Sequence, residues 1–425
     1  MKIMRKKANI KVYGDIMLDR WIIGKFNKKS QEAPINIFSQ LSKKINLGGV
    51  GNLAENLKNL NINFKLFSNI GKDEDGKIII KLLKKKKILF ELKRINNPTT
   101  IKNRFLDQYH KHFFRYDFEK KIKSNNVEKF FHNKVLKNDL IVISDYEKGC
   151  IKKDTINKLV KKDCKIFVDP KSHPNFYKNV FFIKPNMEKY NEWFGIFSKK
   201  KAIKIMKKMN WQWLVVTDGH KGVHVLNKNG IYNFLNSKKI SNPDVTGAGD
   251  IFFSIIIYLF LNNYDIFTAS TMANNICSKL VAKRGMQIVK KDNFFFDTVF
   301  INGVFDILHP GHNKLFKFAK SISKKIIVGI NSDKSVKNIK GNTRPYNNLK
   351  IRIKNLKKIK TISEIHIFKS KTPLKLIKKI KPDVIIKGDD YNFKNIVGRS
   401  ISNIIIFPRY KNYSSSEIIN KLKKN

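Results

Sequence analysis

Asp244-Val245-Thr246-Gly247-Ala248-Gly249-Asp250 runs without a break into the apolar stretch Ile251–Leu261, a glycine-rich turn feeding directly into a helix. Glycines at such a junction leave backbone N–H groups unblocked, and with the helix dipole they form an anion hole for a phosphate whose charge is growing. Asp250 stands at the mouth of that hole. Its carboxylate is placed to take the proton from an attacking hydroxyl while the amides of Gly247, Ala248 and Gly249 hold the terminal phosphate of ATP. Thr, Asp and Gly also favour ordinary helix caps, so the motif alone does not separate a cap from a phosphate-binding loop.

Outward from it, short β-branched runs recur at Asn9–Tyr13, Leu140–Ser144, Lys165–Asp169, Val180–Lys184 and Trp213–Thr217, separated by Lys-rich segments with helical periodicity. The alternation predicts a doubly wound α/β sheet with a small antiparallel flap from the regions around Ile35–Ile45 and Thr99–Tyr116. A second series, Thr298–Asn302, Lys325–Ile330, Glu364–Phe368, Val384–Lys387 and Ile404–Phe407, predicts a second, smaller parallel sheet. At 425 residues the chain is too long for one ordinary core. The junction is Gln287–Asp297, polar and then Phe-rich with no Pro/Gly/Ser linker, so the expected domains are 1–293 and 298–425, closely abutted.

Further motifs decide the first half. Gly14-Asp15-Ile16-Met17-Leu18-Asp19-Arg20 follows the first strand, and Leu47-Gly48-Gly49-Val50-Gly51-Asn52 offers glycines for close backbone approach. Later come Lys184-Pro185-Asn186-Met187-Glu188-Lys189 and Thr217-Asp218-Gly219 with Lys221-Gly222. In this order the set resembles the ribokinase family of carbohydrate kinases. The resemblance implies a three-layer domain in which Asp15, Asp19, Gly48, Gly49 and Asn52 meet the sugar. It places Asn186, Met187, Glu188, Lys189, Asp218 and Gly219 with Gly247, Ala248 and Gly249 on ATP, Glu188 on Mg²⁺, and Asp250 as the base. Ser144-Asp145-Tyr146-Glu147-Lys148-Gly149, Asp169-Pro170-Lys171, Glu32-Ala33-Pro34 and Arg115-Tyr116-Asp117-Phe118-Glu119 are similar to the branch that phosphorylates heptose 7-phosphate. A phosphate at the far end of such a substrate needs cations, for which Lys102, Arg104 and Lys171 are candidates.

In the second half, Asn302-Gly303-Val304-Phe305-Asp306-Ile307-Leu308-His309-Pro310-Gly311-His312 follows directly on a strand. Histidines three apart turn to one side once a helix begins near Gly311. Both can then donate to an α-phosphate that gathers charge in nucleotidyl transfer, with no covalent intermediate. No Cys or third His stands nearby to suggest a metal site. The stretch resembles the cytidylyltransferase-like superfamily, with companions in order: Asn331-Ser332-Asp333, Lys340-Gly341-Asn342-Thr343-Arg344-Pro345, Lys387-Gly388-Asp389-Asp390-Tyr391 and Tyr413-Ser414-Ser415-Ser416-Glu417. That resemblance places Phe305, Asp306, Arg344, Lys387, Gly388, Asp390, Ser414, Ser415 and Ser416 on the nucleotide. Fused in this order, the halves resemble the bifunctional heptose 7-phosphate kinase and heptose 1-phosphate adenylyltransferase family, which implies ADP-heptose synthesis for lipopolysaccharide core. The alternative is a kinase of another sugar phosphate fused to a cytidylyltransferase.

Lys+Arg number 87 against 33 Asp+Glu, a formal charge of +54, which on its face suggests a polyanion partner. The lysines are spread through every segment, as in Lys81–Lys87 and Ile351–Ile362, and form no single tail or stripe. They read as solvated helix faces, and no specific nucleic acid is expected. A basic nucleic-acid-binding protein that keeps these folds as scaffold is the rival from another class. It needs the lysines on one surface and Asp250, His309 and His312 dispensable. Cys150, Cys164 and Cys277 form no CxxC pair and fit a reduced cytoplasm. No signal peptide is visible at Met1–Ile10, and Ile251–Leu261 is well short of a membrane span. A cytoplasmic homodimer acting on small sugar phosphates and ATP is the expectation.

Overall fold

Ile-Lys-Val-Tyr-Gly and Leu-Ile-Val-Ile-Ser form the strands β1 (Ile10–Gly14) and, seven strands later, β8 (Leu140–Ser144), each buried along its whole length. A parallel strand covered on both faces reads as a continuous apolar run. The computed structural model describes residues 9–109, 111–121, 131–238, 240–241, 243–283, 287–388 and 396–408. The strands between are β2 (Ile16–Lys29), β3 (Asn36–Gly49), β4 (Lys65–Gly71), β5 (Phe90–Ile95), β6 (Ile101–Asp107) and β7 (His112–Phe118). After them come β9 (Lys165–Asp169), β10 (Phe182–Ile183), β11 (Trp213–Asp218), β12 (Gly222–Asn227) and β13 (Tyr232–Asn236). The chain divides into two compact units, Met1–Ile266 with Cys277–Val289 and Phe267–Ile276 with Lys290–Asn425.

The first unit holds a nine-stranded sheet in the order β13-β12-β11-β10-β9-β8-β1-β4-β5. It is parallel from β5 to β11 and antiparallel only at its β12 and β13 edge. The apolar run is the helix Ala248–Leu261, buried on nearly every side, which is why it carries no polar stripe. No helix among the described residues is long and apolar enough to cross a membrane. Phenylalanine fills this core: Phe167 stacks on Phe182, and Phe182 on Phe253.

The flap corrects the sequence reading. It is a four-stranded sheet in the order β3-β2-β6-β7, in which β2 lies between the two expected segments. β2 is antiparallel to β3 but parallel to β6. The sequence hides β2 because its alternation is broken by Asp19-Arg20 and by register shifts after Ile23 and Phe26.

The second unit is a five-stranded sheet of β14 (Phe296–Gly303), β15 (Ser323–Asn331), β16 (Glu364–Phe368), β17 (Val384–Gly388) and β18 (Asn403–Phe407). Its order is β16-β15-β14-β17-β18 and every pair is parallel. Phe300, Ile327, Ile377, Ile385, Ile396 and Ile404 make its core.

Candidate active sites

In doubly wound sheets ligands bind beyond the carboxyl ends of the strands, where the strand order reverses. In the first unit that reversal lies at β1 and β8. The residues just past successive strand ends are Asp15, Asp145 with Tyr146, Pro170 with Lys171, Lys184 to Asn186, and Gly219.

Asp250 occupies the first turn of the helix Ala248–Leu261, behind Gly247 in the left-handed conformation at φ 75°, which glycine adopts without strain. Its carboxylate is buried. Oδ2 accepts from Asn52 Nδ2 at 2.6 Å, and the Tyr146 hydroxyl stands 3.3 Å from both oxygens. Burial first, and the charge of Asp169 second, push the Asp250 carboxyl up to about 7. Lys184, itself buried, pairs with Asp169 at 2.8 Å, and both groups lie within 4 Å of where a Gly249 side chain would stand. A cation and two carboxylates therefore surround the glycine turn. Of its amides, that of Ala248 donates to the Val245 carbonyl.

Asp19 faces the same space from β2. A Cβ on Gly48 would fall 2.6 Å from its Oδ2, crowding that carboxylate, and one on Gly49 would fall 2.2 Å from the Asp15 carbonyl, so Gly49, at φ 59°, is required by close approach to backbone. Burial pushes Asp19 up, opposed by Arg104 and Lys102, and Arg104 Nη2 reaches its Oδ1 at 3.5 Å. The parallel register of β2 on β6 sets Asp19 beside Lys102. Lys102 and Lys171 both lie over the Tyr146 ring, 5.1 and 4.4 Å from its centre. Asp15, expected on the sugar, instead has its carboxylate filled by the amides of Tyr146, Lys148 and Cys150. It holds a loop.

Of the residues expected on ATP, Asn186 pairs with Thr217 in an isolated parallel bridge, joining the turn after β10 to the end of β11. Its Oδ1 caps the helix Met187–Phe194 through the Lys189 amide. Met187 packs into the core and Lys189 pairs with Glu192 at 2.8 Å. Glu188 is exposed in the first turn and makes no ion pair among the described residues. Asp218 ends β11 and Gly219 follows at φ 51°. Asp169, Lys184 and Tyr146 stand inside the quoted motifs but were given no role there; standing at or just beyond a strand end was the available signal.

In the second unit the reversal lies between β14 and β17. His309 precedes the helix Pro310–Ile322, and the two imidazoles lie 3.9 Å apart, centre to centre. His312 Nδ1 accepts from the His309 amide at 3.4 Å, which leaves its proton on Nε2 as a donor. Burial, then the neighbouring His309, push His312 down to about 3, and burial lowers His309. Both are neutral donors at pH 7. Phe305, at φ 50°, sets its ring 5.3 Å from His312. Asp306 accepts from the Tyr346 and Asn347 amides and lies 3.4 Å from Arg344, so it orients the loop that carries Arg344. Lys387, near the end of β17, reaches the Asn302 carbonyl at 3.5 Å, and Gly388 ends the strand. Asp390 and Ser414, Ser415 and Ser416 lie outside the described residues.

The pfkB family carbohydrate kinase pattern matches residues 7–293, and the cytidylyltransferase-like pattern matches residues 300–421. The bifunctional protein HldE of Campylobacter curvus is 31% identical, covering 99% of this chain and 99% of its own. That of Nitratiruptor is 30% identical, covering 93% and 95%. Among solved structures, phosphofructokinase-2 from Escherichia coli in complex with potassium shares the fold at a TM-score of 0.58 and 15% identity, covering 67% of this chain and 96% of that one. Ribokinase from Thermotoga maritima does so at 0.54 and 18%, covering 67% and 97%.

Proposed function

Because the chain belongs to the family of bifunctional HldE proteins, a pfkB-type carbohydrate kinase joined to a cytidylyltransferase-like nucleotidyltransferase, we propose that it makes the activated heptose of lipopolysaccharide core. The kinase half, residues 1–293, moves the γ-phosphoryl of ATP to C1 of D-glycero-β-D-manno-heptose 7-phosphate. A separate phosphatase removes the 7-phosphate. The transferase half, residues 298–425, joins AMP from a second ATP to the 1-phosphate and releases pyrophosphate. One observation carries the kinase reading: a buried carboxylate, Asp250, at a glycine-lined helix start, with Arg104 and Lys102 beside Asp19 and Lys102 and Lys171 over the Tyr146 ring.

In the kinase step the C1 hydroxyl bonds to the γ-phosphorus, the bond to the β-phosphate breaks, and the hydroxyl proton passes to Asp250. A base near 7 is matched to neutral conditions. Asn52 fixes one oxygen of the base, Asp19 takes sugar hydroxyls, and Lys184 with the glycine turn meets the phosphoryl oxygens. Mg²⁺ is held mainly by nucleotide phosphates and water, with one or two carboxylates from the protein. Unpaired Glu188 at a helix start fits that demand, and the ion would neutralise phosphate charge. In the transferase step a sugar-phosphate oxygen attacks the α-phosphorus while His309 and the Nε2–H of His312 donate to its oxygens; Arg344 and Lys387 hold the leaving phosphates.

Incubating the protein with heptose 7-phosphate and ATP should give heptose 1,7-bisphosphate alone, and ADP-heptose when the phosphatase is added. Consumption of other sugar phosphates but not of this one would overturn the substrate. Equal ATP and CTP with heptose 1-phosphate should give mostly ADP-sugar; mostly CDP-sugar would favour the cytidylyltransferase alternative. A homodimer is part of the same proposal, supported by the exposed aromatic strand β7, in which Phe113, Phe114, Tyr116 and Phe118 all face solvent. Light scattering that returns one chain's mass would contradict it.

A further inference from the structure

Two buried carboxylates are devoted to one short loop. Asp15 accepts the amides of Tyr146, Lys148 and Cys150. Asp145 accepts the amides of Glu147 and Ser172 and the hydroxyl of Tyr177. Burying acidic groups is unfavourable unless every oxygen is hydrogen-bonded, and here they are. The backbone after β8 is thus pinned both to the turn after β1 and to the segment after β9. What the pinned loop presents is Tyr146.

The Tyr146 side chain touches the two working parts of the site at once. Its hydroxyl bridges both oxygens of Asp250 at 3.3 Å, while Asn52 holds Oδ2. Its ring lies under the ammonium groups of Lys102 and Lys171. Neither lysine makes a salt bridge among the described residues, and two like charges over one ring attract an anion. Burial, and next the charge of Lys171, lower Lys102 to about 8. The phenol of Tyr146 is pushed well above its usual value by burial and by Asp250, so it stays an O–H donor throughout the working range.

We propose that Tyr146 is a positioning residue of the kinase: its hydroxyl orients the Asp250 carboxylate while its ring seats the two lysines that take the acceptor's own phosphate. Base and phosphate seat are then held at one fixed separation. A phosphorylated sugar then bridges the two. The inference rests on Asp250 as base and on Lys102 and Lys171 as phosphate cations.

The test uses full-length protein, ATP and heptose 7-phosphate, with folding followed by melting curves. Tyr146→Phe keeps the ring and removes the donor. A lost donor raises the carboxylate pKa, so the acid limb of kcat should move up by about one pH unit and kcat at pH 7 should fall about fivefold. KM for the sugar phosphate should stay within about twofold, since the cation–ring contacts survive. Tyr146→Leu should in addition raise that KM about tenfold. Replacing Tyr146 with 3,5-difluorotyrosine keeps the shape and strengthens donation, so the acid limb should move down. An unmoved acid limb in the Phe and difluoro proteins, or an unchanged KM in the Leu protein, would overturn the proposal. Lys102→Met and Lys171→Met test the parent reading separately: if both leave KM unchanged, the phosphate seat is wrong, whatever the acid limb does.

Discussion

Asp250 is an acid that the fold keeps hard to ionise, and that has a consequence beyond catalysis. Its folded pKa, about 7, lies above its unfolded value of 3.8, so between those values the folded chain binds more protons than the unfolded one. Stability from this group is full below pH 4 and falls as pH rises towards 7. Asp250→Asn removes the ionisation while keeping the shape. The variant should therefore melt above wild type at pH 8, and the gap should close near pH 4. A lower melting temperature than wild type at pH 8 would contradict the burial argument. His312 works in the opposite direction. Its folded pKa, about 3, lies below the usual 6.5, so its share of stability is present above pH 6.5 and is lost as pH falls towards 3. The transferase half should accordingly lose stability on acidification, and His312→Gln should flatten that slope in melting curves.

At the scale of elements, one side chain ties the second unit together. Arg352, on the helix Leu349–Lys357, is fully buried. It donates to the carbonyls of Asn347, Val304 and Asn331 and pairs with Asp333 at 2.7 Å. It so joins the segments after β14 and β15 to the loop that carries Arg344. Arg352→Met strands these acceptors and should destabilise the transferase half by about 3–5 kcal/mol. Adenylyl transfer should be lost at a lower temperature while kinase activity keeps its wild-type profile; equal loss of both would contradict this. Nothing in local sequence announces Arg352, because its partners lie on three segments. Strands were legible where the run is continuous and apolar, as in Leu140–Ser144 and Lys165–Asp169, or alternates cleanly, as in Glu364–Phe368; all three stand where the pattern puts them. β4 and β5 were missed because Ser68, Asn69 and the charged residues of Phe90–Ile95 interrupt the pattern. The glycine turn and both histidines were legible as motifs. The contact of Asn52 with Asp250, across 198 residues, was not, and neither was the turning of Asp15 and Asp306 towards loops 131 and 40 residues further along the chain. Motif spacing shows which residues recur together but not which way a carboxylate points.

For the whole molecule, the formal +54 exceeds what the acidic residues can pair. Polyanions should bind at low salt, and because dispersed lysines act by counterion release the binding should vanish near physiological salt. Sequence-selective binding that survives there would favour the nucleic-acid reading. If one chain carries two separate chemistries, each with its own reacting groups, single substitutions separate them. Asp250→Asn and His312→Ala, each confirmed as folded by melting curves, should be assayed in both reactions, because a general loss of stability would depress the two together. Asp250→Asn should slow phosphorylation of heptose 7-phosphate by about 10²- to 10⁴-fold and leave adenylyl transfer unchanged. His312→Ala should slow adenylyl transfer by about 10²- to 10³-fold and leave the kinase unchanged. A folded Asp250→Asn protein with near wild-type kinase turnover, or a folded His312→Ala protein that has lost both activities, would contradict that division of reacting groups.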